Sequence, residues 1–204
     1  MLAVIDYGAG NLRSVVHALN YLGVVDMRIV QSPHELHGAD KIILPGVGAF
    51  GAGMQQLHQQ GLVTALKDAI HSGIPYLGIC LGMQFLFEHS DEMGDHEGLS
   101  ILPGHVTRFP QDMGLKVPHM GWNQLQQRCD SMLLAGIGKD SSAYFVHSYY
   151  CAPANEGDIV ATVDYGIPFT AVVHRDNIFG VQFHPEKSQR TGLQLLTNFL
   201  EMEQ

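Results

Sequence analysis

Basic residues are scarce in this chain. Its 11 lysines and arginines stand against 20 aspartates and glutamates, a formal net charge of −9. No stretch gathers enough positive charge to neutralise a run of phosphates, which argues against nucleic acid as a partner. Long apolar runs are missing too. The opening stretch MLAVIDYGAG reaches Asp6 after five apolar residues without a basic flank, and no later stretch reaches the roughly 18 residues that cross a bilayer. A soluble, unprocessed chain with no membrane contact is expected. Cysteine is limited to Cys80, Cys129 and Cys151, an odd set with no CxxC pair and no zinc-ligand spacing. This argues against a disulfide framework and a metal site, and it fits a reducing cytoplasm. Linker-like and repeated segments are also absent, so a single domain over residues 1–204 is expected.

What is present is an ordinary globular composition, 46% hydrophobic, with 23 glycines and 9 prolines marking tight connections. Short apolar runs alternate with segments of helical period, the pattern of an α/β protein with a mostly parallel, doubly wound sheet and flanking helices. Strands are predicted at 2–6, 27–30, 41–44, 75–79, 144–146, 159–163, 169–174 and 178–181, and helices at 12–22, 53–72, 81–88 and 191–202. Between about 105 and 171 the helical signal fades and turn residues multiply, which predicts an antiparallel or mixed region over one edge. The acidic stretch EHSDEMGDHE at 88–97 mixes carboxylates with His89 and His96. It lacks the EF-hand ladder and the helical metal spacings, so it reads as a solvated surface loop.

The segment YLGICLGMQ, Tyr76 to Gln84, is an apolar strand running through Gly-x-Cys-x-Gly into a helical pattern. This is a nucleophile elbow with sulfur in place of oxygen. Gly78 and Gly82 fit it because a sharp strand-to-helix turn crowds backbone around the nucleophile. Cys80 then stands at a helix N-terminus, where the macrodipole and free N–H groups favour a thiolate. Cys129 follows a polar run and Cys151 leads into Ala-Pro, and both read as structural.

Near the other end, FGVQFHPEKS carries a strand into His184-Pro185-Glu186. Pro185 biases His184 toward extended geometry, so the imidazole and the carboxylate two residues on can project to one side. His184 can take the proton of Cys80 while Glu186 holds its other nitrogen. The two motifs lie 184 − 80 = 104 residues apart, so spacing alone does not bring them together. Each falls at the C-terminal end of a predicted strand, the edge where doubly wound sheets place their sites.

Together these motifs resemble the class I, triad-type glutamine amidotransferases, a family with a flavodoxin-like sheet. YLGICLGMQ is similar to their nucleophile motif, PGVGAF (Pro45 to Phe50) to their oxyanion strand and FHPE (Phe183 to Glu186) to their base and carboxylate. DYGAGNLRSV, PHMGWN (Pro118 to Asn123), FVHSYY (Phe145 to Tyr150) and HPEKS resemble the members that serve a cyclase in histidine synthesis. The resemblance implies a glutaminase with catalytic Cys80, His184 and Glu186 and no cofactor. It implies an oxyanion hole at Gly46, Val47, Gly48 and Leu81, and glutamine held by Gln84, Glu92, Ser148 and Tyr149. It also implies that Asn11, Met120, Trp122 and Lys187 face a (β/α)8-barrel cyclase subunit; by residue type alone, Met120 and Trp122 equally fit plain core.

Three other readings were weighed. Gly46 to Gly51, GVGAFG, literally matches the dinucleotide fingerprint GxGxxG, but no acidic residue ends a strand about 20 positions on; Asp68 falls within a predicted helix. A cysteine peptidase or deglycase of the same architecture would share the elbow, whereas His184-Pro185-Glu186 and PGVG favour glutamine. A catalytically silent binding subunit would have no need of an intact triad.

Overall fold

A computed structural model describes residues 1–202. In chain order the first half contains β1 (Leu2–Ile5), α1 (Leu12–Tyr21), β2 (Met27–Val30), β3 (Lys41–Gly46), α2 (Phe50–Gln59), α3 (Leu62–His71), β4 (Tyr76–Cys80) and α4 (Leu81–Gln84). Short strands follow: β5 (His89–Ser90), β6 (His96–Glu97), β7 (Gly104–Arg108), β8 (His119–Gln124), β9 (Gln126–Gln127), β10 (Ser142–His147) and β11 (Tyr149–Pro153). The chain closes with β12 (Ile159–Asp164), β13 (Pro168–Arg175), β14 (Ile178–Val181) and α5 (Gln189–Glu201).

The main sheet has the order β2-β1-β3-β4-β14-β13-β12-β9. Its first five strands run parallel, and β13, β12 and β9 are added antiparallel on one side. The predicted mixed region therefore extends that edge of the main sheet and adds two small sheets, β10-β8 and β11-β7-β5-β6. β7, β8 and β11 were not predicted. Few of their positions are fully buried and the rest are exposed or half-buried, so the apolar signal in each is weak.

The alternation within the central strands decides which helix covers which face. Leu2 and Val4 of β1, Ile43 of β3 and Leu77 and Ile79 of β4 pack with Val15 and Leu19 of α1 and Leu195 and Phe199 of α5. The intervening Ala3, Ile5, Ile42, Leu44 and Tyr76 pack with Leu57 of α2 and Leu62, Leu66 and Ile70 of α3. Both faces of β1, β3, β4 and β14 are buried, which explains why they read as continuous apolar runs, while β2 at the edge is largely exposed.

Two helix predictions need correction. The single helix over 53–72 is two, α2 and α3, because Gly61 takes φ +70° and breaks the run. The helix over 81–88 is one turn. The carbonyls of Phe85, Leu86, Phe87 and Glu88 instead accept from amides at 98–102, with Leu99 N–H to Phe85 at 2.7 Å and Gly98 N–H to Glu88 at 2.8 Å. Tertiary backbone pairing thus replaces the next helical turn, and a single turn carries little of a macrodipole.

The elbow itself has a steric cause. Cys80 has φ +54° and ψ −107°, a strained backbone for a residue with a Cβ. A Cβ on Gly82 would sit 1.8 Å from the Leu44 carbonyl oxygen, and one on Gly78 would sit 2.4 Å from the Gly82 oxygen. The Tyr76 hydroxyl donates to that same Gly82 oxygen at 2.8 Å. Gly82→Ala is accordingly expected to lower the unfolding free energy by about 3 kcal/mol, the upper end of ordinary overpacking costs, as read from denaturant melts. Gly23→Ala, at φ +82° with nothing within 4 Å of the new Cβ, should cost only the ~1 kcal/mol of a left-handed residue. Equal losses at the two positions would mean that contact with Leu44 is not what requires glycine at 82.

Candidate active site

The parallel register of β4 with β14 sets Ile79 opposite Val181. Both strands therefore end at the same edge of the sheet, and the chain beyond β14 carries His184 toward Cys80 across a sequence gap that spacing could not bridge. His184 is then clamped in three ways. Its N–H donates to the Tyr144 carbonyl at 3.0 Å, the Ser188 hydroxyl donates to its carbonyl at 2.7 Å, and that hydroxyl accepts from the Tyr144 N–H at 2.9 Å.

His184 Nδ1 lies 2.9 Å from Glu186 Oε1, with the two side chains 2% and 0% exposed. Asn11 Nδ2 donates to the same oxygen at 3.0 Å. The carboxylate accepts only, so Nδ1 carries a proton and Nε2 is the nitrogen available to the sulfur. Nε2 and Glu186 Oε2 are both buried without a hydrogen bond of ordinary geometry. Burial pulls the His184 pKa down, but interaction with Cys80 and Glu186 outweighs it and raises the value to about 10. Cys80 is the larger of the two raising influences, although Nε2 makes no hydrogen bond of ordinary geometry in this arrangement.

Cys80 is 6% exposed. Gln182, which is fully buried, donates Nε2 to the sulfur at 3.6 Å and accepts from Gln84 Nε2 at 3.1 Å. Gln84 also donates to the Tyr149 carbonyl at 3.1 Å. That carbonyl accepts from His147 Nδ1 at 2.8 Å, and His147 Nε2 faces His119 Nδ1 at 3.2 Å. Burial lowers His147 to about 3, against the raising effect of its bond to Tyr149, and lowers His119 to about 4. Both rings are therefore neutral at pH 7. His147 donates through Nδ1 and accepts at Nε2, and the pair fixes the carbonyl that Gln84 uses.

A cleft of about 280 Å³ opens beside the sulfur. Val47, Gly48, Leu81, Gln84, Glu92, Ser148 and Tyr149 all line it with Cys80, so the predicted oxyanion and glutamine residues converge. Gly46 lies one residue behind, paired with Cys80 at the end of β3. The 88–97 stretch is a β5–β6 hairpin with Ser90 buried rather than a free surface loop; at its turn the half-buried Glu92 accepts the Phe50 N–H through Oε2 at 2.6 Å. A carboxylate thus occupies the N-terminus of α2, the place a pyrophosphate would take in the dinucleotide reading of Gly46 to Gly51. A larger groove, about 550 Å³, runs between α1 and residues 185–193. It lacks Cys80, so the smaller cleft is the one that carries the chemistry.

The residues assigned to a partner separate into two groups. Met120 and Trp122 are 64% and 49% exposed on β8 rather than core, and Lys187 stands 5.9 Å from the ring of Tyr144, itself beside Trp122. Asn11, by contrast, spends its side-chain donor on Glu186. Gln182, His147, His119 and Ser188 escaped the sequence reading. Gln182 and Ser188 stand inside FGVQFHPEKS, His147 inside FVHSYY and His119 inside PHMGWN, but nothing in these strings says which neighbour each one meets. Cys129 is exposed and Cys151 is buried, with its thiol pushed up by burial.

A buried cysteine on a strained elbow, an imidazole held by a carboxylate and a cleft opening beside the sulfur are the features of a class-I glutamine amidotransferase site. The chain belongs to that family, whose model, glutamine amidotransferase class-I, matches residues 3–202. Within it, the chain groups with the imidazole glycerol phosphate synthase subunit HisH. It is 53% identical over 199 residues to that of Desulfitobacterium hafniense strain Y51, covering 98% of this chain and 93% of the relative. It is 49% identical over 207 residues to that of Syntrophotalea carbinolica, covering 99% and 100%. A solved glutamine amidotransferase superposes with a TM-score of 0.76 at 21% identity, over 98% of this chain and 97% of that one, which supports the fold.

His184 gives a pH signature. Its folded value of about 10 lies above the ordinary ~6.5 of an unfolded histidine. The stability it contributes is therefore complete below pH 6.5 and is lost as pH rises toward 10. Imidazole NMR should show the charged form persisting to about pH 10 and a lower pKa in Cys80→Ala. The stability gap between wild type and His184→Asn should narrow across that window. An imidazole that titrates near 6.5 in the wild type contradicts the assignment.

Proposed function

We propose that this chain hydrolyses glutamine at Cys80 and passes the ammonia to a (β/α)8-barrel cyclase subunit. The observation that carries the reading is the buried His184–Glu186 pair, which acts on Cys80, together with the cleft that Cys80 shares with Gln84, Glu92, Ser148 and Tyr149. Cys80, its proton held on His184 Nε2, attacks the carboxamide carbon, and negative charge develops on the carboxamide oxygen. The Leu81 N–H, together with one from the 46–48 segment, stabilises that charge. His184 gives its Nε2 proton to the departing nitrogen, which leaves as ammonia, and a γ-glutamyl thioester remains. Water, deprotonated by the now neutral imidazole, attacks the thioester, and glutamate and the thiol are released. Glu186 holds the ring throughout and balances its charge.

The cyclase would combine the ammonia with a phosphorylated ribulosyl aminoimidazole carboxamide nucleotide, giving imidazole glycerol phosphate and an aminoimidazole carboxamide ribotide. Exposed Met120 and Trp122 beside Lys187 support β8 and the 185–188 turn as the face that meets it, since large exposed apolar side chains mark contact surfaces. Co-expressed with the cyclase, Cys80→Ala should lose at least 95% of glutamine-dependent synthesis while ammonium salts still support the reaction; roughly 10³-fold or larger losses are ordinary for a removed nucleophile. Retention of glutaminase activity by Cys80→Ala, or loss of the ammonia-dependent reaction, would refute the assignment.

The same site is gated by the peptide between Gly46 and Val47. Gly48 has φ +101° and Val47 is 36% exposed, so the segment turns at little steric cost. One missing oxyanion donor lowers kcat by about 10²- to 10³-fold. The lone chain should therefore turn over glutamine at least about 10²-fold more slowly than the complex with cyclase and nucleotide. Equal steady-state kcat values for the two would show that the hole is preformed.

A further inference from the structure

Tyr7, just beyond β1, is fully buried, and its hydroxyl has no hydrogen-bond partner. Buried hydroxyls are nearly always satisfied, so an orphan requires an explanation. Packing accounts for the ring, which meets Phe85 edge-on at a centroid distance of 5.8 Å. It does not account for the oxygen, since phenylalanine would fill the same space without an unpaired donor. Two facts place that oxygen at the oxyanion strand. A Cβ on Gly46 would lie 2.3 Å from the Tyr7 hydroxyl and 2.8 Å from Leu81 Cβ, so the Gly46 Cα is wedged between the tyrosine and the residue that supplies the other oxyanion N–H. Gly46 also pairs with Cys80 across β3 and β4, so whatever grips Gly46 acts one strand from the nucleophile.

We propose that Tyr7 is a positioning residue for the oxyanion strand, its hydroxyl donating to the Gly46 carbonyl when the Gly46–Val47 peptide turns its N–H toward the cleft. A peptide is planar, so turning its N–H inward swings its C=O to the opposite side, and the unpaired donor stands on Gly46. The carbonyl leaving the hole then exchanges a place near the developing oxyanion for a hydrogen bond in a dry environment. Such a bond is stronger there than in water, and the orphan cost of the hydroxyl disappears. Burial and the charge of Cys80 raise the Tyr7 pKa, so the hydroxyl stays neutral and can donate. The group favours only the turned peptide, which is how a fixed side chain biases a two-state element.

This inference rests on the glutaminase reading. Tyr7→Phe keeps the ring and removes the donor. In the complex with cyclase and nucleotide, kcat for glutamine should fall about 5- to 10-fold, the worth of one hydrogen bond, with KM for glutamine within twofold of wild type. Ammonia-dependent synthesis and the rate of Cys80 alkylation by iodoacetamide, which forms no oxyanion, should be unchanged. The unfolding temperature should hold or rise. An unchanged kcat means that the hydroxyl only fills space, and an equal fall in alkylation means that Tyr7 acts on the sulfur; either overturns the proposal. Absence of glutamine turnover in the wild-type complex would instead overturn the glutaminase reading itself.

Discussion

The contact of Gly82 with the Leu44 carbonyl is the constraint on which the site depends. At that distance no side chain fits between the turn after β4 and strand β3, so the turn lies directly on its neighbour. The approach forces Cys80 to φ +54°, a conformation that costs on the order of 1–3 kcal/mol and persists because the surroundings impose it. Two consequences follow together. The sulfur is lifted out of the sheet at its C-terminal edge, and Gly46 is brought against Leu81, so the nucleophile and the end of β3 are placed by one backbone contact.

Dryness is the second condition. His184 and Glu186 are almost wholly withdrawn from water, and a buried carboxylate is tolerated only when it is paired and hydrogen-bonded. Glu186 Oε1 has both His184 and Asn11. Asn11 opens helix α1 without capping it through its side chain, and the donor it withholds from its own helix goes to the carboxylate instead. Asn11, near the start of the chain, is thereby tied to the His184-Pro185-Glu186 motif near its end. The neutral His119–His147 pair orders the opposite wall in the same way, holding the Tyr149 carbonyl to which Gln84 donates.

The strained elbow and the buried ion pair are supported by two continuous cores, one on each face of the parallel strands. That support leaves the cleft rim free to differ in character. Val47 and the Met120–Trp122 strand are exposed, while the chemistry beneath them is rigid.

Much of this was legible in the sequence. The central strands and α1 and α5 were readable because both sheet faces are buried and the helices have a single apolar face, so local periodicity and tertiary environment agree. The elbow was readable from Gly78, Cys80 and Gly82, because steric exclusion leaves a compositional mark, and HPE from the rigidity of proline. The break at Gly61 and the truncation of α4 were not. A glycine inside a helical run has either meaning, and the amides at 98–102 that end α4 come from a distant segment. The 46–48 segment meets Cys80 through the parallel pairing of β3 with β4, and His184 reaches it across 104 residues through that of β4 with β14. The orphan hydroxyl of Tyr7 and the partners of Gln182 are likewise facts of packing, because a buried hydrogen bond is decided by which atoms meet, and residue order alone does not say which those are.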